Sequence, residues 1–202
     1  DIRDPKEVAD FISWLKTEAI DVDILVNNAG ILQVGSFSET SLEAWHEVFD
    51  VNLWGTVHLV QALLPLLKER PEAAIINMAS ASGLVGFTPL TAYSTSKFAL
   101  VGLTQALAGE LVDSSVHVGV ICPGLVRTSI GEAAHLSAEH QEQVRELLLQ
   151  RGCEPEAVAQ AVISAIEQKR AQVNVGWEGH AMSLAARLLP AKAGRFIAKY
   201  AK

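Results

Sequence analysis

The chain of 202 residues has only two cysteines, Cys122 and Cys153. That is too few for a disulfide framework, and neither has a histidine at metal-ligand spacing, so both read as reduced thiols of a cytoplasmic protein. Basic charge is also scarce: 16 Lys and Arg stand against 23 Asp and Glu, a formal charge of -7. Nowhere do the basic residues form the stripe that nucleic-acid phosphates require, which excludes that class of partner. No apolar run is long enough to span a bilayer. The longest, "LWGTVHLVQALLPLL" from Leu53, is broken by His58 and Gln61. The six histidines form no cluster with carboxylates at ligand spacing, so no metal site is expected, and the absence of a "GxSxG" elbow removes the commonest serine-hydrolase reading. Repeats and low-complexity linkers are missing too.

What remains is a chain rich in apolar residues, 50% by composition, in which short apolar runs alternate with longer segments of helical period. That pattern belongs to α/β domains, and the length suits one domain over residues 1–202. Asp4, Pro5 and Glu7 supply an N-cap, a first-turn proline and a capping-box acid for a helix ending near Ala19. A strand "VDILVN" follows. Ser41 to Leu67 reads as one long helix with its apolar stripe on Leu42, Trp45, Val48, Phe49, Leu53, Val57, Val60, Leu64 and Leu67, stopped by Pro71. "AAIINMA" and "VHVGVIC" are continuous apolar runs, the composition of parallel strands covered on both faces. A helix from Ala92 to Val112 separates them. Further helices are expected from Ala138 to Gln150 and from Pro155, then the strand "QVNVGW" and a last helical segment from His180. Right-handed crossovers would wind these elements into an open parallel sheet between two helical layers.

In such a sheet the ligand crevice lies beyond the carboxyl ends of the strands. Three strand ends carry loop-forming or polar residues: Asn27-Asn28-Ala29-Gly30, Ser80, and Pro123-Gly124. The helix after the second carries Tyr93 and Lys97, whose spacing of four puts both side chains on one face. A free phenol, with a pKa of about 10, trades protons poorly at neutral pH. An ammonium at ~4 Å in an effective dielectric of ~20 would favour the phenolate by about 4 kcal/mol, roughly three pKa units. The expectation is a phenol tuned toward neutrality, able to move a proton on and off an alcohol or carbonyl oxygen, with Ser80 holding the same oxygen.

Tyr93-Ser94-Thr95-Ser96-Lys97, with Ser80 thirteen residues before the tyrosine, Asn27-Asn28-Ala29-Gly30 after a strand, and Asn52 in "DVNLWG", resembles the short-chain dehydrogenase/reductase family over Asp1 to about Trp177. The resemblance implies a Rossmann-like doubly wound sheet in three αβα layers and hydride transfer, with NAD or NADP, between an alcohol and a ketone or aldehyde. It makes Tyr93 the proton donor or acceptor and places it, with Lys97, among the cofactor-binding residues. Lys97 would lower the tyrosine's pKa and hydrogen-bond the nicotinamide ribose, Ser80 would orient the substrate oxygen, and Asn52 would hold a water linking Lys97 to solvent. Asn27, Ala29 and Gly30 would line the adenosine ribose, Pro123, Gly124, Val126 and Thr128 would surround the nicotinamide, and Asp1 and Ile2 would touch the adenine.

The family's pattern begins with a strand and a glycine-rich, pyrophosphate-binding turn that these residues do not contain. The expectation is therefore an N-terminally truncated fold, with roughly 50 to 60 residues, about two βα units, upstream, and with an unpaired apolar edge on the strand at Val22 to Val26. Apolar residues in "GLVGFTPLT" and at Ile130, Leu136 and Leu147 to Leu149 point to an apolar alcohol or carbonyl substrate. The segment 180–202 is basic and amphipathic, with Arg187, Lys192, Arg195, Lys199 and Lys202 set against Leu184, Leu188, Leu189, Phe196 and Ile197. Such a helix packs on its own protein or a second subunit, with an anionic membrane surface as the alternative. Relatives of this family pair through the helices at 41–67 and 92–112, which implies a homodimer or homotetramer. Two other readings stay open at this point: a catalytically silent nucleotide- or partner-binding relative, and an epimerase or dehydratase on the same scaffold.

Overall fold

A computed structural model of the chain describes residues 1–131 and 138–188. Four strands, β1 (Ile24–Asn27), β2 (Ala73–Met78), β3 (Val116–Pro123) and β4 (Gln172–Val175), form one parallel sheet in the order β1-β2-β3-β4. Seven helices are interleaved with them: α1 (Pro5–Thr17), α2 (Leu42–Phe49), α3 (Gly55–Lys68), α4 (Thr91–Glu110), α5 (Ala138–Arg151), α6 (Pro155–Glu167) and α7 (Gly176–Leu188). The α/β alternation legible in the sequence is thus the observed order of elements.

The continuous apolar composition of β2 and β3 has the cause expected of it. Ile75 faces a cluster built with Ile12 and Leu15 of α1, Leu63 and Leu67 of α3 and Leu107 of α4, whereas its neighbour Ile76 faces the opposite layer, with Ile121 and Ala165 of α6. Both isoleucines are fully buried. Each contributes about 1.5–3 kcal/mol of transfer free energy, and a side chain every 3.3 Å on alternate faces locks the strand between two helical layers. At the edge, β1 is covered on one face only. Leu25 and Asn27 are buried under the α1, α3 and α4 layer, while Ile24 and Val26 on the other face are 49% and 40% exposed, and β1 ends the sheet, as the family resemblance implies for this strand.

Three boundaries differ from expectation. Asp4 caps α1, its carboxylate accepting the Lys6 N–H at 2.8 Å, but the Asp4 N–H goes to the Asp1 carbonyl at 3.2 Å, so Glu7 does not close the box, and the helix ends at Thr17. The final strand stops at Val175. Gly176 there adopts a φ of +78°, a left-handed conformation that turns the chain straight into α7, so Trp177 is helical and α7 starts four residues before His180.

The third difference bears on the site. The run from 42 to 68 is not one regular helix: α2 and α3 are joined by a π turn, Asp50–Trp54, in which the Gly55 N–H reaches the Asp50 carbonyl. A π turn takes up one extra residue and rotates everything after it. The apolar stripe points Leu53, Val57 and Leu64 inward; the fold buries Asn52, Thr56 and Leu63 in their place, while Val60 and Leu67 are buried as expected. Leu42, read as part of the stripe, is 73% exposed. Asn52, four residues after the buried Val48, shares its inward face from within the π turn.

The tail residues Leu189, Lys192, Arg195, Phe196, Ile197, Lys199 and Lys202, with Leu136 of the apolar stretch, lie outside the described residues. Among the described residues no helix is long and apolar enough to cross a membrane.

Candidate active site

The three strand ends singled out in the sequence lie side by side, because β1, β2 and β3 are successive neighbours in one sheet. Ser80 follows β2, and its hydroxyl accepts the Ser82 N–H at 3.1 Å, capping a short 3-10 turn, Ala81–Gly83. That turn packs against α4 at Gly83. A Cβ on Gly83 would stand 2.7 Å from the Lys97 carbonyl oxygen and 3.2 Å from Val101 Cγ2, so only glycine permits the approach that brings Ser80 up to Tyr93. Gly83→Ala is expected to lower stability by about 1–3 kcal/mol, the usual cost of overpacking, with a lower midpoint in urea. An unchanged midpoint would mean that α4 and the turn can part without loss.

Tyr93 and Lys97 lie on the inner face of α4, 7% and 3% exposed. The Lys97 ammonium stands 5.7 Å from the centre of the tyrosine ring and donates a 2.8 Å hydrogen bond to the Met78 carbonyl at the end of β2. This arrangement corrects the electrostatic expectation. Burial raises the phenol pKa above its ordinary 10, with a hydrogen bond to Ser80 as the lesser, opposing effect. The ammonium is hydrogen-bonded to the Met78 carbonyl, and burial prevails over its attraction for the phenol. Lys97 carries the larger consequence, pushed down by burial to about 8. Behind them the fully buried Cys122 thiol is pushed up by burial to about 12 and stays neutral.

Asn52, 1% exposed in the π turn, clamps the loop after β1 by both backbone groups of one residue. Its Oδ1 accepts the Ile31 N–H at 2.8 Å and its Nδ2 donates to the Ile31 carbonyl at 3.0 Å. Gly30, the residue before, is fitted beneath it. A Cβ there would lie 3.3 Å from both Asn52 Oδ1 and Lys97 Nζ. The four residues Asn52, Ser80, Tyr93 and Lys97 therefore come together, with Gly30 among them.

Of the remaining sequence-nominated residues, Ile2, Asn27 and Ala29 line a small cavity of about 60 Å³ with Asn28 of the same motif and with Val26, Thr56 and Leu59, which the motifs did not assign to a ligand. Ile2 is held there by Gly55, where a Cβ would come within 2.6 Å of Ile2 Cγ1, and by His58 Nδ1, 3.1 Å from the Ile2 carbonyl. Asn27 donates to Asn77 at 2.8 Å but leaves its buried Oδ1 without a protein partner, an acceptor free for a ligand or water. The Asp1 carboxylate is taken up by Arg3 through its Nε and guanidinium NH2. Pro123 ends β3; Gly124 donates to the Val175 carbonyl at 2.9 Å and has the first turn of α7 against it, a Cβ on Gly124 lying 2.9 Å from Glu178 Cβ. Val126 bridges to Cys153, and the Thr128 N–H bonds back to the Val126 carbonyl at 2.9 Å, which leaves the Thr128 side chain exposed on the loop. The orphan acceptor on Asn27, at the wall of the small cavity, fits a hydroxyl of a dinucleotide's adenosine end. The described residues hold no group of three or more His, Cys, Asp or Glu placed to bind a metal ion.

Residues 1–139 match the family described as short chain dehydrogenase. The oxidoreductase UcpA of Escherichia coli is 35% identical over 171 residues, which take in 84% of this chain and 60% of UcpA, so the chain spans less than two thirds of that relative. Among solved structures, a short chain dehydrogenase/reductase from Burkholderia phymatum in complex with NAD superimposes with a TM-score of 0.84 at 26% identity, covering 95% of this chain and 73% of that one. A serine dehydrogenase complexed with NADP+ gives a TM-score of 0.76 at 26% identity over 87% of this chain and 72% of its own.

Proposed function

The chain belongs to the short-chain dehydrogenase family, and from that premise we propose that residues 1–202 are an NAD(P)-binding unit of an oxidoreductase interconverting an apolar alcohol and its ketone or aldehyde. The observation that carries this reading is the convergence of Ser80, Tyr93, Lys97 and Asn52, with Gly30, beyond three adjacent strand ends. The bound nicotinamide dinucleotide supplies or accepts the hydride. Everything else falls to the chain's own side chains.

Ser80 and Tyr93 hydrogen-bond each other, so an oxygen seated between them would be oriented by one hydroxyl and protonated by the other. Because burial raises the phenol pKa, the resting phenol is protonated and can donate to a carbonyl oxygen, and the reverse reaction returns that proton to it. Asn27, Ala29, Gly30 and Ile2 would hold the adenosine end, with Asp1 at its margin, and Pro123, Gly124, Val126 and Thr128 the nicotinamide end. The partially buried Ile130 and Leu84 support an apolar substrate. Reduced thiols at Cys122 and Cys153 suit the cytoplasm, and half-exposed Trp54 and Phe98, beside α3 and on α4, suit pairing of two or four copies.

The test is an absorbance assay of the oxidoreductase that contains these residues together with a pyrophosphate-binding turn, with NADH or NADPH and a panel of carbonyl compounds. One nicotinamide oxidised per carbonyl reduced, faster for apolar ketones than for small charged hydroxy-acid precursors, is the expected result. Turnover without net nicotinamide consumption would replace the proposal with epimerisation or dehydration, and no turnover with either nucleotide would refute it.

A further inference from the structure

We propose that Ser96 is a positioning residue for this site, one that couples the tyrosine-bearing helix to Asn52; the inference rests on the dehydrogenase reading above. Ser96 is fully buried between Tyr93 and Lys97 in sequence, yet it belongs to neither the proton-transfer pair nor the cofactor contacts. Its hydroxyl makes two hydrogen bonds and uses both capacities of a hydroxyl in them. It donates to the Tyr93 backbone carbonyl at 2.8 Å and accepts an Asn52 Nδ2 proton at 3.0 Å.

The second bond completes Asn52. One Nδ2 proton goes to Ser96, the other to the Ile31 carbonyl at 3.0 Å, and Oδ1 accepts the Ile31 N–H at 2.8 Å. Three segments distant in sequence are joined in this way: α4 through Ser96, the π turn through Asn52, and the loop after β1 through Ile31. Lys97 Nζ and Asn52 Oδ1 both lie 3.3 Å from the point where a Gly30 Cβ would project, so the orientation of the Asn52 amide sets what lies beside the ammonium. A hydroxyl is needed at 96 because both a donor and an acceptor are required within one buried site. Alanine supplies neither and leaves an Asn52 N–H without a partner in a place that is 1% exposed. An amide so stranded turns or draws in water, and either event alters the surroundings of Lys97.

The test is a double-mutant cycle of Ser96→Ala and Asn52→Ala in the same oxidoreductase, read by kcat, KM, the alkaline limb of the pH–rate profile and the Asn52 side-chain amide signal in ¹⁵N NMR. Ser96→Ala is expected to lower kcat about tenfold, the scale of one stranded buried donor. KM should hardly change, the alkaline inflection should move, and the Asn52 amide protons should lose their protection from exchange. In the Asn52→Ala background the same change should have no further effect on kcat, since its partner has gone. Losses that multiply in the double variant, or a lower melting temperature with kcat and inflection intact, would make Ser96 a packing residue and overturn the proposal. If the unaltered chain shows no nicotinamide turnover, the dehydrogenase reading fails by itself, and the amide signal then decides the link: protection lost in Ser96→Ala supports it, protection kept removes it.

Discussion

Tyr93→Phe is expected to reduce kcat for nicotinamide-dependent carbonyl reduction by about 10²- to 10⁴-fold, the contribution of a positioned general acid. The substitution removes one oxygen and keeps the ring, so the packing of α4 on the sheet and the stacking distance to the Lys97 ammonium are preserved. What is lost is the proton delivered to the developing alkoxide and the hydrogen bond with Ser80. The nearest other acid, the Lys97 ammonium, is hydrogen-bonded to the Met78 carbonyl and does not take the phenol's place. Water reaches the position poorly, since Tyr93 is 7% exposed. Binding of the dinucleotide should change little, because fluorescence quenching on adding NADH or NADPH reports contacts on the strand-end loops. Measured together, a collapsed kcat with an unchanged dissociation constant assigns the phenol to chemistry. A variant within threefold of the parent kcat would remove Tyr93 from the reaction.

The elements on which this prediction depends differ in how openly the sequence displays them. The order of strands and helices was legible because β2 and β3 are buried on both faces and so must be apolar throughout, and because Asp4 and Pro5 announce the first helix by local hydrogen bonding alone. Ser80, Tyr93 and Lys97 were legible through spacing, since one helix places residues four apart on one side. The position of Asn52 was not. The apolar stripe followed through Phe49 and Leu53 sets Asn52 aside, whereas the fold buries Asn52 on the face of Val48, and a polar residue on that face gives no hydrophobic signal of its burial. Gly30, Gly83 and Ser96 belong to the same category. Their roles are set by what packs over them, from residues twenty or more positions away in the first case and by a turn across the interface in the second.

Pairwise electrostatics misled for a related reason. A four-residue spacing fixes which face Lys97 shares with Tyr93, but not where a four-carbon side chain sends its ammonium. The Met78 carbonyl, at the end of a strand that the helix crosses, offers a hydrogen bond at 2.8 Å and takes the ammonium. Burial, which spacing cannot reveal, then outweighs the attraction for both partners and drives their pKa values apart, the phenol upward and the amine downward.

The downward shift makes Lys97→Met the second large prediction, with opposite effects on activity and stability. The Lys97 pKa falls from 10.5 to about 8 on folding. Below pH 8 the amine is protonated in both states, and holding it charged in the interior costs the folded chain roughly 3 kcal/mol. Between about 8 and 10.5 the unfolded chain binds the extra proton, so this cost is relieved and the stability of the parent chain rises with pH. Methionine fills similar volume and carries no charge, though it leaves the Met78 carbonyl unpaired, which takes back about 1–3 kcal/mol. Lys97→Met should therefore equal or exceed the parent in urea at pH 7 and lack its gain toward pH 10. Activity should move the other way. Loss of the buried cation over the Tyr93 ring is expected to lower kcat about 10²-fold. The parent's carbonyl-reduction rate should be level below pH 8 and fall about tenfold per unit above it as the ammonium is lost, a limb the methionine variant should not show. A variant that is both less stable at pH 7 and still inflected near pH 8 would mean that the buried amine neither burdens the fold nor governs the reaction.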